Sequence, residues 1–171
     1  MVIWGTPGGM TKGKEAIRMA GTLSPWPQIS QGAKEHPVPT LQYLLRARGK
    51  TVTVDGDFGP QTDTAVRAFQ HDKALTADGI VGPKTWGALI IEVKQGSQGD
   101  AVRGVQEEFQ FRNLSGDPSK GLAVDGIFGP KTDAAVRGFQ SAIHADVPSM
   151  AVDGIVGPMT WQALVSGMLS F

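Results

Sequence analysis

The chain of 171 residues contains no cysteine. That removes a disulfide framework, a thiolate zinc site and a cysteine nucleophile, while remaining compatible with any redox compartment. Neither sign of charge is in excess: Lys plus Arg is 16, Asp plus Glu is 16, and the formal net charge is +0. A nucleic-acid surface normally shows a basic stripe, so no nucleic-acid partner is expected. No apolar run reaches the roughly 18 residues of a membrane span. The opening Met1-Val-Ile-Trp-Gly-Thr-Pro-Gly-Gly lacks the basic stretch and apolar core of a secretory signal, so no signal peptide is visible. Histidine is scarce as well. His36, His71 and His144 form no His-Glu-X-X-His pattern, so they are expected as solvated surface residues, with no metal and no cofactor.

What is present is enough for a core. Hydrophobic residues make up 40% and charged residues 19%, the balance of a folded chain rather than a disordered one. Internal repetition organises the rest. Val54-Asp-Gly-Asp-Phe-Gly-Pro-Gln-Thr-Asp-Thr-Ala-Val-Arg-Ala-Phe-Gln70 recurs, 70 residues on, as Val124-Asp-Gly-Ile-Phe-Gly-Pro-Lys-Thr-Asp-Ala-Ala-Val-Arg-Gly-Phe-Gln140. Asp78-Gly-Ile-Val-Gly-Pro-Lys-Thr-Trp-Gly-Ala-Leu89 recurs, 75 residues on, from Asp153 to Leu164. Upstream, Val38-Pro-Thr-Leu-Gln42 aligns with Val102-Arg-Gly-Val-Gln106 at an offset of 64. The extra residues of the second copy fall in polar, Gly-rich or Pro-rich stretches at 113–121 and 141–151, as loop insertions should.

A smaller repeat lies inside each copy. Asp-Gly-X-(Phe or Val)-Gly-Pro-X-Thr begins at Asp55, Asp78, Asp125 and Asp153. Asp-Gly reads as a tight turn, with glycine at positive φ and the carboxylate bonding nearby amides. Each Pro suits the first position of a helix, and the Thr two positions later can bond back toward the cap. Calcium loops are a poor match, because Asp55, Asp57 and Asp63 lack the alternating ligand spacing and Gly59-Pro60 interrupts it. Apolar residues then recur at helical spacing: Val38, Leu41 and Leu45; Ala65, Val66 and Phe69; Trp86 and Leu89; and their counterparts in copy two. The pattern predicts three short helices per copy, near 38–48, 60–72 and 83–91, then 100–112, 130–143 and 158–168. Short helices need each other to bury their apolar faces. Phe58, Phe69 and Trp86 must then carry much of a small core, and Trp86 and Trp161 are expected inside it rather than as sugar-stacking platforms. Residues 1–25 read as a partly flexible tail with one short helix around Lys14–Ala20, residues 26–90 as module one and 91–171 as module two. The short apolar junction Ile90-Ile-Glu-Val-Lys-Gln-Gly predicts modules that touch.

These motifs resemble the peptidoglycan-binding domain family found beside wall hydrolases. Copy two carries the family pattern at Gly96, Gly99, Val102, Gln106, Asp125–Gln140 and Asp153–Leu164. Copy one carries it from Leu41-Gln42 onward. It departs at Glu35, where the pattern has Gly, and at Pro39 inside the first helix. The resemblance implies an all-α fold of two tandem three-helix bundles that attach, without catalysis, to bacterial peptidoglycan, through its glycan or its stem peptides. It implies an extracellular or wall-associated protein that anchors or targets a protein to the wall. One alternative is a structural adaptor that uses the same modules for protein contacts, as in a phage tail or injection apparatus. Another is an accessory part of a wall hydrolase. No acid, base, nucleophile or metal constellation marks an enzyme.

Candidate ligand-binding residues follow from the second helix of each copy. They are Gln61, Thr62, Asp63, Arg67 and Gln70 in copy one, and Lys131, Thr132, Asp133, Arg137 and Gln140 in copy two. A helix N-terminus behind Gly-Pro favours a carboxylate, although its amides more simply satisfy their own loop, and the Arg of each Asp–Arg pair can bond a carboxylate. The same pairs also fit plain i,i+4 surface bridges. The glutamines either line a groove or bond backbone between helices.

Overall fold

The computed structural model describes residues 21–170. The helix expected at Lys14–Ala20 and most of the 1–25 tail lie outside them. Six α-helices are present among the described residues: α1 (Val38–Ala47), α2 (Pro60–Asp72), α3 (Pro83–Leu89), α4 (Asp100–Phe111), α5 (Pro130–His144) and α6 (Pro158–Val165). A 3-10 turn at Pro118–Lys120 sits in the copy-two loop insertion. Extended pairing among these residues is confined to isolated bridges. The architecture is all-α, in two tandem three-helix bundles, as the periodicity predicts.

Four helices start in the same way. Gly59, Gly82, Gly129 and Gly157 hold extended backbone at the cap, and the following Pro opens the helix, where its missing N–H costs nothing. The cap glycines have no side chain to bond the helix, but the Thr62 and Thr85 hydroxyls bond back past the cap to the Asp57 and Ile80 carbonyls, each at 3.5 Å. Pro39 does not disturb α1. It lies at the second helical position, where no intrahelical N–H bond is made.

Helices α3 and α6 end earlier than the pattern predicts. Ile90 turns extended, and Arg48 donates to the carbonyls of Leu89 at 3.1 Å and Ile90 at 2.7 Å. Arg112, in the equivalent place of module two, donates to Leu164 at 2.9 Å and Met168 at 2.7 Å. A guanidinium at a helix C-terminus satisfies orphan carbonyls and complements the helix dipole. Each module closes over Phe58, Phe69 and Trp86, or over Phe128, Phe139 and Trp161, all buried. Each such side chain contributes about 2–3 kcal/mol of hydrophobic stabilisation. The tryptophan indoles donate to Pro27 at 2.8 Å and Ile91 at 2.9 Å, so each is core with its one polar atom satisfied.

The modules dock through α1 and α4, which run antiparallel. His36 before α1 stacks on Phe111 at the end of α4, while Arg46 near the end of α1 reaches Asp100 at the start of α4. Gly104 makes the crossing close. A Cβ placed there would stand 3.4 Å from the Trp161 ring and 3.7 Å from Tyr43. The described end of the tail also belongs to this assembly. Gln162 donates to the Ser24 carbonyl at 2.8 Å, which ties the segment preceding module one onto module two.

Candidate functional site

The four turn phrases are held by one device. The Gln42 amide oxygen accepts from the backbone amides of Asp55 and Gly56, both at 3.0 Å, and its nitrogen donates to Asp55, the Asp57 carbonyl and Thr62. Gln106 does the same to Asp125, Gly126, Ile127 and Thr132. Gln70 clasps Asp78, Gly79, Ile80 and Thr85, and Gln140 clasps Asp153, Gly154, Ile155 and Thr160. All four glutamines are 0–1% exposed. The turn glycines Gly56, Gly79, Gly126 and Gly154 have φ of 74–76°, as Asp-Gly requires. Each turn Asp accepts from the amide two residues on at 2.9 Å. For Asp55 and Asp125 that amide bond, followed by the Gln contact, holds the carboxyl below the ordinary Asp value.

This places the candidate residues. Gln70, Gln140, Thr62 and Thr132 are buried, and their polar atoms are engaged with the turns or with the glutamines of α1 and α4. Asp63 and Arg67 pair at 2.9 Å, as do Asp133 and Arg137. Each pair lies across a turn glycine. A Cβ on Gly79 would collide with Asp63 and stand 3.0 Å from the Arg67 guanidinium, and Gly154 relates in the same way to Asp133 and Arg137. Arg67 also donates to the Ala77 carbonyl at 3.1 Å. The two guanidinium groups are still half exposed, at 49% and 50%. Gln61 accepts from the Thr53 amide, and Lys131 is exposed. These ten residues therefore do not converge on one pocket.

Three of them border separate concavities: Gln70 and Gln140 lie at equivalent grooves of the two modules, and Gln61 at a third hollow. A groove of about 490 Å³ runs behind the second turn of module one, lined by Ala74, Leu75, Thr76, Ile80 and Lys84. Its counterpart in module two, beside Ile155 and Met159, is reduced to about 250 Å³. Met150, from the inserted loop, is buried there with its sulfur 3.5 Å from the Thr160 hydroxyl.

One polar cluster departs from expectation. His36 is not a solvated surface histidine: its side chain is 11% exposed, and Nε2 lies 2.9 Å from Glu108 Oε1. Glu108 is fully buried, accepts from the Thr40 hydroxyl at 2.7 Å and pairs with Arg112 at 2.8 Å. Burial alone would push its carboxyl up, but the hydrogen bond and charge of His36, the charge of Arg112 and the Thr40 hydroxyl together hold it below the usual value. His71 and His144 are exposed, as expected. Among the described residues there is no group of three or more side chains suited to hold a metal ion, and no helix is long and apolar enough to cross a membrane.

The family profile described as "Putative peptidoglycan binding domain" matches the chain twice, at residues 34–89 and 98–164. The chain belongs to this family. The peptidoglycan-binding domains are thus tandem, with each match containing one complete bundle. The chain is also similar to the N-acetylmuramoyl-L-alanine amidase CwlM of Mycobacterium tuberculosis, at 35% identity over 71% of this chain and 33% of that protein. The N-acetylmuramoyl-L-alanine amidase CwlL of Bacillus licheniformis is 30% identical over 74% of this chain and 42% of its own length. The chain therefore spans between a third and a half of these curated relatives. A crystal structure of a peptidoglycan-binding protein from Clostridioides difficile, in complex with glutamine hydroxamate, is 37% identical. It covers 43% of this chain and 46% of its own, with a TM-score of 0.38.

Proposed function

We propose that the chain is a noncatalytic wall-binding unit whose two modules together anchor or target a protein to peptidoglycan in the extracellular wall. The observation that carries this is the family match over both bundles. The relatives' names support a role beside wall hydrolysis, with this chain resembling only part of each amidase. The accessory role is therefore the natural one: this unit holds the polymer while a hydrolytic domain, on the same or another chain, cuts it.

The grooves behind the second turns are the surfaces we assign to wall contact. They occupy equivalent places in the two modules and are lined by both apolar and polar residues, which suits a partly apolar, hydrogen-bonding polymer. The half-exposed Arg67 and Arg137, together with Gln61 and Lys131, are assigned to the surrounding polar surface, where a stem-peptide carboxylate is within their chemistry. Two weak sites on one frame raise apparent affinity through effective concentration.

Co-sedimentation with purified sacculi tests the proposal. The folded chain should pellet with the sacculi, release no soluble fragments, and bind more weakly when Ile80→Glu and Ile155→Glu are combined. A folded chain that stays in the supernatant, or one that digests the sacculi unaided, overturns it.

A further inference from the structure

A concavity between the modules is explained by a single departure from the internal repeat. In three of the four helix-and-turn units, an Arg stands three positions before the clasping Gln and lies over the turn glycine. Arg67 covers Gly79, Arg137 covers Gly154, and Arg103 covers Gly126. Each has an acidic partner on its own helix: Asp63, Asp133 and Asp100. In the fourth unit that position is Pro39, whose Cγ would lie 3.6 Å from a Cβ on Gly56. A proline ring supplies neither the positive charge nor the donors that the turn receives elsewhere.

The space is open. A cleft of about 600 Å³ lies there, with Pro39, Val54 and Gly56 on one side and Glu107 and Phe111 of α4 on the other. Val54 is the counterpart of Ala77, whose carbonyl accepts from Arg67. Among the described residues, nothing donates to the Val54 carbonyl. Three carboxylates line the cleft, Glu35, Asp55 and Glu107; the basic side chain among the lining residues is His36, already paired with Glu108, and no Lys or Arg is there. Glu107 makes no ion pair among the described residues. Burial, and then the charge of Glu108, push its carboxyl above the ordinary Glu value, with His36 opposing, so an arriving cation would stabilise its charged form. Phe111, stacked on His36, is still 38% exposed and offers apolar contact to an alkyl stem.

We propose that this inter-module cleft binds the guanidinium or ammonium end of an alkyl cation, carried by a small ligand or a peptide side chain, in the place where the other three units hold their own arginine. The turn offers the Val54 carbonyl, Asp55 and Glu107 offer charge, and Phe111 offers contact for the alkyl stem. The site is separate from the grooves assigned to the wall, and it arises from the Pro39 and Glu35 departures of copy one.

The test is an amide NMR titration of the full chain with Nα-acetyl-arginine amide, Nα-acetyl-lysine amide and the neutral Nα-acetyl-norleucine amide. The two cations should shift the Gly56 and Phe111 amides with millimolar affinity, and the norleucine compound should not. Comparing the two cations assigns the head group. Pro39→Arg restores the residue found in the other units and should abolish the shifts by filling the cleft from within. Glu107→Gln should weaken binding by about fivefold. Equal shifts with norleucine, no shifts with either cation, or cation binding unchanged by Glu107→Gln would overturn the proposal, even if Pro39→Arg fails to fold. The probes contain no wall material, so the outcome is independent of sacculus binding.

Discussion

Nε2 of His36 lies 2.9 Å from Oε1 of Glu108, and the two residues belong to different modules. Thr40 and Arg112 complete the cluster, so a fully buried carboxylate of α4 is satisfied partly by module one. A buried ion pair is weak evidence of net stabilisation, but removing one partner is costly, because the others remain buried and unpaired. Glu108→Ala should lower stability by about 3 kcal/mol, measured by urea unfolding. A loss below about 0.5 kcal/mol would mean that water reaches Arg112 freely once the carboxylate is gone.

The same residue sets an acid limb. Because its folded pKa is depressed, Glu108 contributes stability that is complete above the unfolded value and is lost as pH falls through the folded one. Glu107 has the opposite sign: its raised pKa costs stability once it ionises, and acidification relieves that cost. The stability difference between wild type and Glu108→Gln should therefore be largest above about pH 5 and should shrink below about pH 4. Thermal unfolding across that range checks it.

Much of this fold was legible in the sequence. The Gly-Pro starts and the 3.6-residue spacing locate the six helices, and Asp-Gly locates the turns, because these signals are local. The inter-module cluster was not legible. Glu108 falls three positions after Val105 on the apolar face of α4, and the internal repeat aligns it with the buried Leu44 of α1. That alignment marks a charge in a core position, but its partners lie 72 and 68 residues away in His36 and Thr40. The glutamines show a different limit. Sequence spacing left them between groove and scaffold, and only their buried amide geometry shows what they hold.

That geometry makes a prediction of its own. Gln106→Ala strips partners from two backbone amides, a carbonyl, a carboxylate and a hydroxyl of the Asp125 turn. The expected loss is about 2–3 kcal/mol, with amide exchange at Gly126 rising far more than at Gly56 in the other module. Uniform acceleration across both turns would contradict a local clasp.

Glu35 has φ of 60°, the left-handed region, at the place where copy two has Gly99 at 113°. A side chain there is strained, and glycine relieves the strain at some cost in unfolded-state entropy. Glu35→Gly should raise stability by about 0.5–1 kcal/mol, seen as a higher urea midpoint with an unchanged slope. A lower midpoint would show that the carboxylate stabilises the fold more than its backbone strains it.

Gly104 separates two outcomes at the α1–α4 crossing. Alanine fits with contacts of 3.4–3.8 Å and gains helix propensity, so Gly104→Ala should change stability by less than about 1 kcal/mol. Gly104→Leu must displace Trp161 or Tyr43 and should cost about 2–3 kcal/mol. Small-angle scattering would then show a more extended Gly104→Leu chain, and an unchanged profile would mean that the crossing adapts without separating the modules.

The wall-binding account is tested most directly by amide NMR titration of the full chain with soluble, defined peptidoglycan fragments. It predicts saturable shifts at the two grooves, around Ile80 and Lys84 in module one and around Ile155 and Met159 in module two. A folded chain whose groove amides do not move at saturating fragment would contradict it.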